Sequence, residues 1–435
     1  MKIKGLSKEK IKQISSFKQE DKNALDFRLN SYEKFKEIPL PKFGPEINLD
    51  FDNINYYQTS DDSLTDNWNS IENETKQELD NLGVISSEQY LDGIGVQYQS
   101  EVIYHNMLEE LKEKNVIFTS IEQAFKNHRD LIDKYFSKIV KPEENKFTAL
   151  NSAVFSGGSF IYIPKNTKLD RPLQSYFRIN SKDLGQFERT LIIVDDNSSL
   201  HYVEGCTAKS YSTSNLHAAV VEIYVGKNSK CRYSTIQNWA TNVYNLVTKR
   251  AVVEENGTME WIDGNIGSKK TMKYPCCVLK GDNSKGTCIT ISVATTNQHQ
   301  DSGARMIHVG KNTESSIISK SIAKCGGKAD FRGEIRIEKE ADNSSSIVKC
   351  DTLILDEKSS SDAFPIDTVK NKKSNIEHEA TVSKISEEKL FYLMSRGLSE
   401  EEAIDLVVLG FTEEFKKELP MEYAVELNQL LKQNI

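Results

Sequence analysis

Two textures of hydrophobic and polar positions divide the chain. Over the first part, apolar residues recur at helical spacing. Ser7 reads as an N-cap, with Leu6 before it and Ile11 four residues inside, the spacing of a hydrophobic staple. A second helix is predicted over 21–38, where Ala24, Phe27, Leu29, Tyr32 and Phe35 keep the helical period. Pro39, Pro41 and Pro45 then break it. Further helices are expected near 63–82, 99–114 and 120–139, so residues 1–145 read as an N-terminal helical region.

The texture changes at Asn151-Ser152-Ala153-Val154-Phe155-Ser156-Gly157-Gly158. From there to about 375, short β-rich runs alternate with small polar turns. One turn recurs as a charged residue, Asn, then a small or polar residue, at Asn166, Asn197, Asn228, Asn256, Asn283, Asn312 and Asn343. Subtracting consecutive numbers gives gaps of 31, 31, 28, 27, 29 and 31. A second polar turn is expected near each midpoint, around Ser181, Gly205, Thr241, Asn265, Asn297, Gly326 and Ser359. Two strands and two turns per period describe a solenoid, and Asn suits a turn because it tolerates left-handed backbone. Runs such as 217–225 are apolar with few polar breaks, as strands stacked in a parallel sheet are. A β-sandwich with regular hairpins would place turns every 8–12 residues or so, closer than here. The fold expected is therefore mainly β: a right-handed parallel β-helix over 146–376, flanked by helical regions at both ends.

Beyond it, 377–435 reads as a C-terminal helical region. Ser386 caps a helix over 387–396 that Gly397 ends, and Ser399 with Glu402 forms a capping box for a helix closed by Gly410. Pro420 starts a last helix running to about residue 433.

Composition narrows the function. The 435 residues are 28% charged and 38% apolar, which suits a folded chain with a substantial core. Fifty-six basic against 64 acidic residues leave a net charge of −8, giving nucleic acid no electrostatic footing. No apolar run reaches the ~18 residues of a membrane span, and Met1-Lys2-Ile3-Lys4-Gly5 lacks an apolar signal core, so a cytoplasmic protein is expected. Seven cysteines without a signal point to reduced thiols. Walker A, dinucleotide-binding and nucleophile-elbow motifs are absent, as are the short cysteine spacings of ferredoxins and zinc ribbons.

Most of the thiols (Cys206, Cys231, Cys276, Cys277, Cys288, Cys325, Cys350) read as small buried hydrophobes. Adjacent Cys276 and Cys277 would face opposite sides of a strand and could not share one metal. Cys350 differs, because Glu377-His378-Glu379 follows one repeat later, and 379 − 350 is 29, within the range of the gaps. Stacking would bring thiolate, carboxylate and imidazole together, a set able to hold iron or zinc. The plainer reading makes these acidic residues a solvated cap on the solenoid.

At these residues a family resemblance emerges. Glu377-His378-Glu379-Ala380, Ser383-Lys384-Ile385-Ser386-Glu387-Glu388 and Leu390-Phe391-Tyr392-Leu393-Met394-Ser395-Arg396-Gly397 resemble the C-terminal signature of the SufB family, scaffolds of the SUF iron–sulfur cluster assembly system. Phe27-Arg28-Leu29, Ala149-Leu150-Asn151-Ser152-Ala153, Gln186-Phe187-Glu188-Arg189, Val247-Thr248-Lys249-Arg250, Lys273-Tyr274-Pro275 and Leu419-Pro420-Met421-Glu422-Tyr423-Ala424 agree with it. The segment Met259-Glu260-Trp261-Ile262-Asp263-Gly264 is similar to Gram-positive-type bacterial members.

The resemblance implies a parallel β-helix and a scaffold, not an enzyme, with ATP hydrolysis left to a SufC-type partner bound through the C-terminal helices. It implies pairing with a SufD-type paralogue, or a second copy, through the β-helix, and sulfur delivered by a cysteine desulfurase or sulfur carrier. It implies a transient 4Fe–4S or 2Fe–2S cluster, held at Cys350 and Glu379 with His378 and Glu377 beside them. One position departs from the family: Val253 stands where many members have a sulfur-receiving cysteine. Sulfur would then reach Cys350 directly or through Cys276, Cys277 or Cys288. Two other readings remain at this point: a SufD-like structural subunit without a cluster, and a β-helix polysaccharide-active enzyme.

Overall fold

A computed structural model describes residues 2–59, 64–81, 84, 88–179, 181, 183–208, 214–417, 424 and 431. It is mainly β, a parallel solenoid of about eight turns with helices toward both ends. Each turn contributes one strand to each of two facing sheets. One sheet runs from Leu173–Ile179 through Ser199–Ala208, Lys230–Trp239, Thr258–Gly267, Lys285–Ala294, Glu314–Ala323 and Ser345–Ile354 to Asn375–Lys384, every neighbour parallel. The other runs from Ser159–Ile163 through Arg189–Val194, Val220–Val225, Val243–Val253, the interrupted pair Lys270–Lys273 and Cys276–Leu279, His299–His308 and Lys328–Ile337 to Ala363–Val369. Ile, Val, Leu and aromatic side chains from both sheets fill the space between them.

The asparagine turns hold the repeat together. All seven have φ between 55° and 61°, the left-handed region that Asn tolerates better than other side chains. From Asn197 onward each side-chain amide donates to the side-chain carbonyl of the Asn one turn earlier, at 2.9–3.4 Å, six bonds forming a ladder from Asn343 back to Asn166. Of the second set of turns, Gly205 and Asn265 prove to lie inside strands, because those strands are 10 residues long and turn later.

The first end of the solenoid is closed. Gly93–Tyr98 extends one sheet and pairs antiparallel with Glu101–Met107, while Ile117–Ser120 caps the other sheet antiparallel. The helix expected near 99–114 is therefore replaced by a strand and the short helix Glu109–Glu113. Val102, Ile103 and Tyr104 favour a pleated, half-buried surface, and the sheet edge supplies one. The helices Lys8–Phe17 and Lys22–Glu37 form as expected, with Ser7 and Asp21 as N-caps. Helix Lys146–Val154 lies buried against the latter and the solenoid. A buried ion pair fastens this region: Arg189 donates to Glu222 at 2.8 Å, and Glu222 also accepts from the backbone of Ser137, Ile139 and Val140.

At the far end, Asn375–Lys384 and Ala363–Val369 are the terminal strands of their sheets, with Ile366, Val369 and Val382 exposed. Ser386 caps helix Glu387–Ser395, Gly397 follows at φ 99°, and Ser399 with Glu402 makes the capping box of helix Glu400–Phe411. Gly410 lies within that helix rather than closing it. The helix predicted after Pro420 falls largely outside the described residues. Val408 and Phe415 pack on the outer face of the first sheet, against Val203, Ile236, Ile262, Ile291 and Leu353.

Candidate functional site

Cys350 sits in the penultimate strand of the first sheet, where alternation sends Ser346, Val348 and Cys350 inward and Ile347 and Lys349 outward. The last strand pairs with it at an offset of 30: Val348 faces His378, Lys349 faces Glu379, and Cys350 faces Ala380. The expected offset of 29 is thus one residue short, and one residue exchanges the two faces of a strand. Glu379 and Glu377 lie on the outer, exposed side, while His378 shares the inner face with Cys350. The structure brings Cys350 and His378 together and leaves the carboxylates at the rim.

His378 is closely fitted. Its Nδ1 lies 3.2 Å from the Asp367 carboxylate on the opposite sheet, its ring meets Phe331 edge-on, and its Nε2 is buried without a hydrogen-bond partner. Such an orphan nitrogen is costly in a core, but it is a natural ligand for a soft or borderline metal. Cys350 is 2% exposed, and burial, reinforced by the Asp351 charge, pushes its thiol up to about 12, while hydrogen bonds from Thr352 and Ser319 and the Lys320 charge oppose that rise. At neutral pH the thiol is protonated, so a metal must displace its proton.

Behind Cys350 runs a polar file that the motif reading missed. Register pairing stacks Glu204, Thr235, Asp263, Thr290, Ser319 and Cys350 in one inward column. Every member is buried, and Thr290 donates to Ser319 at 3.0 Å. The signal was in the sequence: each lies seven residues after its ladder asparagine, from Asn197 to Asn343. Around Asp263 the file widens into a network. Lys249 and Lys273 reach its carboxylate at 3.1 and 3.2 Å, Lys273 also donates to Gln237, and Gln237 connects through Asn245 and His217 to Glu188. Desolvation lowers Lys273 to about 8, only partly offset by the Asp263 charge, while the two lysines hold Asp263 below the usual carboxylate range in spite of its burial.

The other sequence candidates separate by face. Cys277 and Cys288 point into the core, where burial raises both thiols, and Val253 packs beside them. Cys276 points outward, in register with Arg250 and Arg305. All seven cysteines are free. His299, Asp301 and Asp330 also cluster. Their carboxylates are already engaged, Asp301 by Arg332 and Tyr274, Asp330 by His299 and Lys328, which leaves little negative charge for a cation. Among the described residues no helix is long and apolar enough to cross a membrane.

The family described as SUF system FeS cluster assembly, SufBD core domain, matches residues 177–411, and the SufBD protein N-terminal region matches 88–175. The iron-sulfur cluster assembly protein SufB of Bacillus subtilis (strain 168) is 55% identical over 431 residues, covering 99% of this chain and 93% of that protein. An iron-sulfur cluster assembly SufBD family protein of Staphylococcus aureus (strain USA300) has the same identity and coverage. With the solenoid, the inward Cys350 and these matches over nearly its whole length, the chain belongs to the SufB family of SUF iron–sulfur cluster assembly proteins.

Proposed function

We propose that this chain is the scaffold on which a nascent iron–sulfur cluster is assembled as cargo, then passed to apo-proteins. The observation that carries this reading is the buried, unpartnered Nε2 of His378 on the same inner face as Cys350, at the open end of the solenoid. A thiolate and an imidazole supply soft and borderline ligands, and Glu379 and Glu377 at the rim supply weaker carboxylates suited to release. The polar column ending at Cys350 would give anionic sulfur hydrogen-bonding partners along the solenoid interior.

The partners follow from surfaces. The terminal strands Ala363–Val369 and Asn375–Lys384 leave edges that a SufD-type paralogue or a second copy would cover. Phe391 and Tyr392, 75% and 57% exposed, offer an apolar face to a SufC-type ATPase. A cysteine desulfurase or sulfur carrier would supply sulfur. Cytoplasmic residence, and a cluster of the 4Fe–4S or 2Fe–2S type, belong to the same proposal.

Anaerobic reconstitution with ferrous iron and sulfide tests it. The wild-type chain, with its partners, should develop thiolate-to-iron absorption, and Cys350→Ser and His378→Ala should each lose most of it while keeping the wild-type circular dichroism. A SufD-like structural subunit or a polysaccharide-active enzyme would develop none.

A further inference from the structure

The connector that ends helix Lys22–Glu37 also builds a wall. Residues 38–43, with Pro39 and Pro41 among them, face the outer side of strand Val243–Val253 across an open cavity of about 520 Å³. That volume lies within the range of small-molecule sites. Both ends of the wall are fastened. Lys146 donates to the Phe35 and Ile38 carbonyls at 2.7 and 2.9 Å, which holds the first end. At the other, Gly44 turns at φ 78°, so close to the solenoid that a Cβ would lie 3.0 Å from Met272 Cε. The Phe43 ring lies 6.2 Å from that of Tyr274 and 5.2 Å from the Arg332 guanidinium. Prolines fix φ, so this wall has little backbone freedom left for a ligand to remove.

The lining divides by chemistry. Leu40 and Phe43, both exposed, supply an apolar wall together with Phe147 and Met272. Lys42, Lys146, Arg250 and Arg305 supply positive charge against the single carboxylate of Glu144. Glu144 is already spent, because it binds both terminal nitrogens of Arg250. Arg305 gives Nε and Nη2 to Glu334, at 2.7 and 3.1 Å, and keeps Nη1. Lys146 has two backbone carbonyls as partners, and burial, with no opposing charge, holds its ammonium below the usual lysine range.

We infer that this cavity binds an aromatic phosphate monoester, its ring on the Leu40 and Phe43 wall and its phosphate on Arg305, Lys146 and Lys42. Three cations around one ligand favour a dianion over a single carboxylate, and a guanidinium with two ammoniums suits phosphate oxygens. Inorganic phosphate alone would leave the apolar wall in water, so the ligand carries a ring that covers it. Neither Cys350 nor His378 lines the cavity, so the inference goes beyond the scaffold reading and does not depend on it. A ligand here bridges connector and solenoid, tying the end of helix Lys22–Glu37 to strand Val243–Val253.

Isothermal titration calorimetry of the full chain with 1-naphthyl phosphate tests this. Two comparison titrations use 1-naphthol, which keeps the ring without the charge, and inorganic phosphate, which keeps the charge without the ring. The ester should bind once per chain, at least tenfold more tightly than either part. Arg305→Gln and Lys42→Gln should each weaken it about tenfold, the cost of one charge-assisted hydrogen bond, and leave 1-naphthol binding unchanged. Arg305→Lys, which keeps the charge, should recover part of the affinity and separate a lost contact from a folding defect. Phe43→Ala should weaken the ester and leave inorganic phosphate unchanged. Inorganic phosphate binding as tightly as the ester would mark an adventitious anion site only and overturn the inference. Failure of the ester to bind, or binding indifferent to all these variants, would overturn it too. Iron and sulfide uptake at Cys350 is read in a separate reconstitution, so either result can fail without the other.

Discussion

Gly333 and His378 meet across the interior of the last solenoid turns. A Cβ at 333 would lie 3.2 Å from His378 Cε1 and 2.9 Å from the Phe331 ring. Gly333 is one of the places where only a missing side chain leaves room for an imidazole. Gly333→Ala should therefore displace the His378 ring and cost about 1–3 kcal/mol through overpacking. Thermal unfolding measures the stability loss. If His378 is a ligand, iron uptake falls in the same variant, whereas Gly303→Ala, which collides with the Arg332 backbone instead, tests whether strain alone does this.

The asparagine ladder makes a second prediction. Asn256 has φ 55°, donates to Asn228 and accepts from Asn283. Asn256→Ala loses both hydrogen bonds and forces a Cβ-branch-free but still strained left-handed residue, at about 1–2 kcal/mol for the backbone alone. Asn256→Gly keeps the backbone free and should cost less. Urea titration of the two variants ranks them. Equal losses would mean that the ladder hydrogen bonds, and not the turn conformation, hold the rungs.

What the sequence revealed and what it hid have one physical origin. The turns were legible because left-handed backbone selects Asn, and the selection repeats every 27–31 residues. The polar column was equally present, seven residues behind each Asn, but it becomes visible only when the strands are stacked. The Cys350–Glu379 pairing failed because the last gap is not marked by an asparagine: Lys373 occupies the position that Asn343 holds one turn earlier, as the pairing of Ser345 with Asn375 requires. An unmarked turn left the register free by one residue, and that residue decides that Ala380 rather than Glu379 pairs with Cys350, so that His378 and not Glu379 shares its inner face. The strand Glu101–Met107 was misread as helix because its partner, Gly93–Tyr98, and not its own periodicity, makes it a strand.

Lys273 yields a prediction in pH. Burial brings its folded pKa from 10.5 down to about 8, with Lys249 pushing the same way and Asp263 opposing. Between those values the unfolded chain binds the proton that the folded chain has released, so this group's contribution makes stability rise with pH from about 8 to 10.5. The gain amounts to a few kcal/mol at ~1.4 kcal/mol per unit. Denaturant midpoints of the wild type and Lys273→Met, compared across that window, should diverge upward for the wild type. Parallel profiles would place the Lys273 titration near that of an ordinary lysine.

The C-terminal helices serve two roles that mutation can separate. Val408 and Phe415 are buried against Ile236, Ile262 and Ile291, so helix Glu400–Phe411 shields the outer face of a long sheet. Deleting everything after Gly397 would bare that apolar surface, and the truncated chain should aggregate. Phe391 and Tyr392, on the preceding helix, are mostly exposed, and among the described residues Tyr392 is engaged locally, with Arg396 over its ring and donating to its hydroxyl. Phe391→Ala and Tyr392→Ala should therefore leave stability within about 0.5 kcal/mol of wild type, as surface changes do. If this face docks the ATPase subunit, the same changes weaken co-purification with it by tenfold or so, the cost typical of an aromatic interface anchor. Val408→Ala supplies the opposite pattern, losing about 1–3 kcal/mol of stability with little direct effect on the docking face. Undiminished ATPase binding by the Phe391→Ala, Tyr392→Ala double variant would move the interface elsewhere on the chain.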